Sequence, residues 1–411
     1  MQRQVPDIEF PISARDLLAD VEVVDADSHV SEWSDLWTSR ASPKFRDRVP
    51  QLKDVDGQSA WVMDGAILNR EAGFSSILKD GRKTGGDGFK RLRLSDVHPG
   101  SYDVRERVKY MDREGVWAQI AYSNLLGFGG QKSMLVEPEL RLVSTVILND
   151  AMAEMQADSN NRIFPMAMTP WWDVKTAAAE AERCADLGMR GVNMNSDPHH
   201  HGLPSLGDPY WNPLWEVCVD RGLPVNFHIG ASDESMNWHG DGLWPGHPDS
   251  IALAYGSLML FVGNMRVLTN ILLSRFLERY PTLKIVSVES GAGWVPFMLE
   301  GLDYQMMEAG VDLKESMADV FRRQIYACSW FERKNIVSTM RQIGADNLLF
   351  ETDFPHPTCL YPDPLDYMTS ALVEMTKDER RKVFGGNAQK IYNLNPALSP
   401  SARTADDSNV E

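Results

Sequence analysis

A chain of 411 residues, 43% hydrophobic and 24% charged, can bury a large core, which excludes a disordered protein and suits one big α/β barrel or two ordinary domains. Its net charge of −17 argues against a nucleic-acid partner, which would need a basic stripe. The four cysteines are widely spaced and form no CxxC, so they read as reduced thiols.

In chain order, residues 1–20 are an N-terminal extension without an apolar signal core. Continuous apolar runs then recur at 21–27, 117–123, 162–169, 191–195, 223–229, 284–290, 324–329 and 347–353. Such runs, rather than strict alternation, mark parallel strands covered by helices. Helical patterns separate them, several ending in Gly or before Pro. About eight βα units predict a (β/α)8 TIM barrel over 21–395. A polar, Gly-containing insertion at 40–102 reads as a cap, and 230–258 as a long pocket-shaping loop. The tail 396–411 is polar and expected to be disordered. The run SLMLFVG is too short for a membrane span, so a cytoplasmic protein with no membrane partner is expected.

The most informative stretch is VVDADSHVSEW, which ends the first strand with Asp27 and His29. Residues i and i+2 of a strand share a face, so this carboxylate and imidazole can hold two positions on one metal ion. In a barrel of this type the catalytic groups stand at the C-terminal strand ends. There the sequence also places His228 on the fifth strand, Glu289 on the sixth and Asp353 on the eighth. A lone strand-end histidine is more often a hydrogen-bonded rim residue, and a lone aspartate a helix N-cap. The joint set of imidazoles and carboxylates carries the metal reading. His356, Tyr122, Asn124 and Trp171 are candidate substrate-binding residues, with Trp172, Trp238 and Trp244 as further aromatic wall. Glu32 and Trp33 are candidates to orient His29. The run His199, His200, His201 reads as a solvated loop, and His98, His239 and His247 as surface or loop residues.

The segments DADSHVSE (25–32), VNFHIG (225–230), VESGAGWVPFMLE (288–300), FETDFPHP (350–357) and GGNAQKIYNL (385–394) resemble the amidohydrolase superfamily. The likeness is to its branch of aminocarboxymuconate semialdehyde decarboxylase-like hydrolases and decarboxylases. The resemblance implies metal ligands at Asp27, His29, His228 and Asp353, with Asp353 also moving protons. It departs at Glu289, where many relatives have a histidine. The fourth strand lacks the lysine that bridges two metals in other branches, which favours a single divalent ion, Zn²⁺ first and Mn²⁺ next. The family is commonly dimeric, so a homodimer is expected.

These expectations converge on a metal-dependent hydrolase that attacks a small carbonyl- or carboxylate-bearing compound with metal-activated water, with Asp353, Glu289 and His228 as catalytic groups. The alternative is a nonoxidative decarboxylase (carboxy-lyase) of an aromatic or unsaturated acid at the same site. An anionic Glu289 would repel a substrate carboxylate, which tilts the reading toward hydrolysis. A ligand-binding barrel without catalysis is the rival from another class, and converging rim carboxylates argue against it.

Overall fold

A computed structural model describes residues 12–86, 88–239 and 242–395. All eight apolar runs form barrel strands. After β1 (Val24–Val30) the chain leaves for an antiparallel sheet of β2 (Gln51–Val55), β3 (Gln58–Met63) and β4 (Ala66–Asn69). It returns as β5 (Ala118–Ser123), β6 (Ile163–Pro165), β7 (Ala167–Met168), β8 (Val192–Asn193), β9 (Val225–His228), β10 (Ile285–Val288), β11 (Ile325–Ser329) and β12 (Leu348–Phe350).

Every barrel pairing is parallel, β1–β5–β6 on one arc and β7 through β12 on the other. The arcs join at Met166, whose N–H donates to Ala121 O while Ala167 N–H donates to Gly191 O. The ring closes where Asp353 N–H donates to Asp27 O at 2.9 Å and His29 N–H to Phe354 O at 2.6 Å. The fold is therefore a (β/α)8 barrel with an insertion after its first strand. Its strands are buried on both faces, which explains their unbroken apolar runs. Val24, Ile120, Phe164, Val286 and Leu349 belong to one apolar cluster. A larger cluster packs the strands against the surrounding helices.

Helix boundaries follow local chemistry. Asp103 caps Val104–Glu114 by accepting from Glu106 N, and Gly115 ends it at φ 75°. Asp173 caps Val174–Asp186 in the same way. The sequence reading errs at 230–258. The loop ends earlier, at Pro248, and the helix Asp249–Ser274 runs through SLMLFVG. Gly256 weakens that helix by propensity, but a Cβ there would come within 2.2 Å of His239 O. The glycine lets the preceding loop lie on the helix. By length and composition alone Asp249–Ser274 could cross a membrane, contrary to expectation. Here it buries Leu260, Phe261, Val267, Leu268 and Ile271. Its Arg266 makes a two-pronged ion pair with buried Asp197, at 2.8 and 2.7 Å.

The four cysteines are unpaired and buried. The expected tail at 396–411 lies outside the described residues, as does most of the extension at 1–20, whose described part holds the single-turn helix Ala14–Leu17.

Candidate metal centre

At the C-terminal strand ends, Asp27, His29, His228 and Glu289 bring one ligand atom each within 4.8 Å of one another, and so do His29, Glu289, Asp353 and His356. His29 Nε2 lies 3.5 Å from Asp27 Oδ1, 3.4 Å from Glu289 Oε2, 3.6 Å from Asp353 Oδ1 and 3.2 Å from His228 Nε2. His228 Nε2 lies 3.1 Å from Glu289 Oε2 and 3.6 Å from Asp27 Oδ1. These separations suit groups arranged around a common point, and the shortest, from His228 Nε2 to Glu289 Oε2 and to His29 Nε2, are also within hydrogen-bond reach.

Backbone geometry aims the groups. Glu289 and Asp353 adopt φ of 53° and 59°, a left-handed conformation that costs roughly 1–3 kcal/mol per non-glycine residue and clusters at functional sites. His228 Nδ1 is 3.0 Å from Ile229 O. Donating there leaves the Nε2 lone pair facing the cluster. Asp353 Oδ2 accepts from Thr358 Oγ1, while Oδ1 faces inward.

Several buried oxygens accept no hydrogen bond: both of Asp27 and Oε2 of Glu289, with Oδ1 of Asp353 facing only His356 Nδ1. Orphaned anionic oxygens opposite imidazole lone pairs are what a divalent cation satisfies, so these residues fit one. Without it, burial and the neighbouring Asp353 raise Glu289 to about 7. Burial raises Asp27 as well. Burial opposes charge on His228, but Asp27 and Glu289 outweigh it and raise it to about 10. Burial, with His356 and His228 close by, drives His29 well down. A dication inverts this balance by favouring ionised carboxylates and neutral imidazoles.

His356 stacks on His29 with ring centroids 3.6 Å apart, and its Nδ1 is 2.9 Å from Asp353 Oδ1. Asn124 donates its amide N–H to Val30 O at 2.8 Å, which fixes its Oδ1 as the acceptor for His356 Nε2–H at 2.9 Å. The other ring nitrogen, Nδ1, is thereby left facing Asp353 Oδ1. Burial opposes charge on His356, yet Asp353 raises its pKa.

Some expected residues stand elsewhere. Glu32 does not orient His29. It accepts from the N–H groups of Asn124 and Leu125, both at 2.8 Å, and so holds the loop that presents Asn124. Trp33 lies under Arg40, 5.7 Å from its guanidinium carbon. Tyr122 lies beneath the centre, its ring 5.1 Å from that of His228 and 6.1 Å from that of His29, and its hydroxyl donates to Asn226 Oδ1 at 3.2 Å. Trp171 is fully buried against Trp172 and His201. Trp244 is 80% exposed.

A cavity of about 230 Å³ opens onto Glu289, His356 and Asn124, and neither Tyr122 nor Trp171 lines it. Its aromatic wall is Phe74 and Phe89 from the insertion, with Phe128 and Phe261. The sequence reading also missed the support beneath the centre. Asp25 accepts from Thr352 N at 2.7 Å, Thr352 Oγ1 at 2.6 Å and Gln119 Nε2 at 2.8 Å. Arg107 reaches both Gln119 Oε1, at 3.1 Å, and the carbonyl of His29. Glu351 accepts from Glu289 N–H at 3.2 Å, and burial first, then Asp27, raises its pKa well above the usual range. The doublet of acids in DAD was its one sequence signal.

Comparison with known proteins adds to this geometry. The amidohydrolase family profile matches residues 139–394. Gamma-resorcylate decarboxylase from Polaromonas sp. (strain JS666 / ATCC BAA-500) is 26% identical over 321 residues, 74% of this chain and 90% of the relative. A 2-keto-4-carboxy-3-hexenedioate hydratase from Sphingobium sp. (strain NBRC 103272 / SYK-6) is 26% identical over 243 residues, 55% of this chain and 64% of the relative. Among solved structures, an amidohydrolase from Mycobacterium avium subsp. paratuberculosis K-10 superposes with a TM-score of 0.72 at 20% identity, over 92% of this chain and 99% of that one. A dihydroxybenzoic acid decarboxylase from Polaromonas sp. JS666, with bound manganese and the inhibitor 2-nitroresorcinol, gives 0.60 at 19% identity, over 92% and 98%.

Proposed function

The chain belongs to the amidohydrolase family, and on that premise we propose that it is a metal-dependent, nonoxidative decarboxylase of a single-ring aromatic carboxylic acid. The observation that carries the reading is the phenylalanine-walled cavity opening directly onto Glu289 and His356 of the carboxylate–imidazole cluster. A 150 Å³ apolar cavity already admits benzene, so about 230 Å³ suits one ring with small substituents. The decarboxylase relative supports the same choice.

Asp27, His29, His228 and Asp353 would hold the ion, with Glu289 beside them. The ion would supply a Lewis acid for a substrate carboxylate or phenolic oxygen. The oxygen-rich donor set suits Mn²⁺, and the Polaromonas decarboxylase structure contains manganese, so Mn²⁺ replaces Zn²⁺ as the preferred ion. A proton on His356 Nδ1 would lie between it and Asp353 Oδ1, 2.9 Å away. In the proposed reaction that pair protonates the ring carbon bearing the carboxylate. The C–C bond then breaks, CO2 leaves, and the ring keeps the electron pair. The phenyl wall holds the ring and excludes water.

The hydrolytic reading rested on repulsion between an ionised Glu289 and the substrate carboxylate. A dication held beside Glu289 would offset that charge, so the objection weakens. Water addition remains the second reading, favoured by Glu289 Oε2 at 3.1 Å from His228 Nε2 and by the hydratase relative. The test is CO2 release from a panel of hydroxybenzoic acids by protein loaded with Mn²⁺ or Zn²⁺. Release from at least one acid that chelators abolish supports the proposal, and no release from any acid with either metal overturns it.

A further inference from the structure

The cavity has two chemically different ends. Glu289 and His356 mark the metal-centre end. Elsewhere, among the described lining residues, the only lysine or arginine is Lys132, in the turn Gln131–Leu135. It is mostly shielded from solvent, and no carboxylate among the described residues comes within 4.0 Å of its Nζ. The carboxylates that act on it are Glu71, Glu32 and Asp233, none from the metal centre. The metal-centre groups gather within 4.8 Å of one another without it, so the cation stands outside that cluster. Asn69 and Glu71, at and just beyond the end of β4, also line the cavity. A shielded ammonium without a close counter-ion is poised to gain by pairing with an anion.

We propose that Lys132 sets substrate specificity by receiving an anionic substituent, such as a second carboxylate, carried on the ring away from the metal-held end. This deepens the aromatic-acid reading and rests on it. Lys132 is a positioning residue that acts on binding. The phenyl rings hold the ring plane and Lys132 fixes its rotation, so that one carboxylate faces His356 and the metal centre.

The test is calorimetric binding of benzoate and isophthalate to the full-length, Mn²⁺-loaded protein, wild type and variants. The wild type should bind isophthalate about 10-fold or more tighter than benzoate. Lys132→Met should erase that preference and leave benzoate within about twofold, and Lys132→Arg should restore part of it. If Lys132 only supports the fold by balancing Glu71 and Glu32, both ligands weaken together and the melting temperature falls, which overturns the proposal. A wild type with no preference for isophthalate, including one that binds neither acid, also overturns it. Turnover is read separately. A Lys132-dependent preference without CO2 release from any acid would sink the decarboxylase reading while leaving this one standing.

Discussion

At the strand ends the chemistry-bearing side chains are buried and individually fixed: His228 by Ile229 O, His356 by Asn124 and Asp353 by Thr358. The cavity wall above them is built differently, from phenyl rings and one lysine carried on loops, the insertion and the helix Asp249–Ser274. The strand ends gain their geometry from a closed hydrogen-bonded ring, in which a displaced residue disturbs its neighbours. The wall is assembled from segments that the ring does not constrain. Reaction chemistry belongs to the first region and substrate choice to the second, a division that barrel enzymes exploit by varying loops.

The largest expected effect breaks the first region outright. His228→Ala removes an imidazole whose Nε2 faces Asp27, Glu289 and His29. Elemental analysis should show loss of most of the roughly one metal per chain, with a near-native circular dichroism spectrum. Full metal retention would remove His228 from the ligand set. Next, Asp353→Asn preserves shape and removes an anion and a proton carrier. It should lower kcat about 10²–10⁴-fold with a much smaller change in KM. Near wild-type turnover would mean that another group moves the proton.

A third effect separates the regions by pH. Burial raises Asp25, Glu32 and Glu289 to about 7 from ordinary values of 3.8, 4.5 and 4.5. Between those values the folded metal-free protein binds more protons than the unfolded chain. Its stability is therefore full below the ordinary values and declines as pH rises through 7. His228, raised to about 10 from 6.5, adds a decline in the same direction at higher pH. His29, driven well down from 6.5, contributes in the opposite sense below that value, against three raised carboxylates, so the metal-free melting temperature should fall overall from pH 5 to pH 8, and saturating Mn²⁺ should flatten the parts due to Glu289 and His228. A metal-free protein whose stability rises over that range would refute these shifts. The smallest effect concerns the wall alone. Phe89→Ala should raise KM for an aromatic acid about 10-fold, since losing several apolar contacts in a pocket costs on the order of 1–3 kcal/mol, while kcat stays within a few fold. A drop confined to kcat would place Phe89 with the chemistry.

The same contrast explains what could be read from the sequence. The strands were legible because two-sided burial writes itself as continuous apolar runs. Asp27, His29, His228, Glu289 and Asp353 were legible because each ends such a run, and the structure brings all five together. The wall was not legible. Phe74 and Phe89 meet Phe261 only through tertiary structure, and nothing in local pattern distinguishes them from core residues. The tryptophans that looked like a wall are buried in packing, as Trp171 is, or exposed, as Trp244 is. Asp25 and Glu351 escaped notice because their partners, Thr352 and the backbone of Glu289, lie hundreds or tens of residues away.

The central claim is that this centre breaks a C–C bond and protonates ring carbon rather than delivering water. It is tested most directly by running the Mn²⁺-loaded protein with a hydroxybenzoic acid that it turns over, once in D2O and once in ¹⁸O-labelled water. The account predicts CO2 release and one deuterium at the vacated ring carbon, with no ¹⁸O in the aromatic product. Product carrying ¹⁸O from solvent without loss of CO2 would contradict it and return the chain to hydrolysis or hydration.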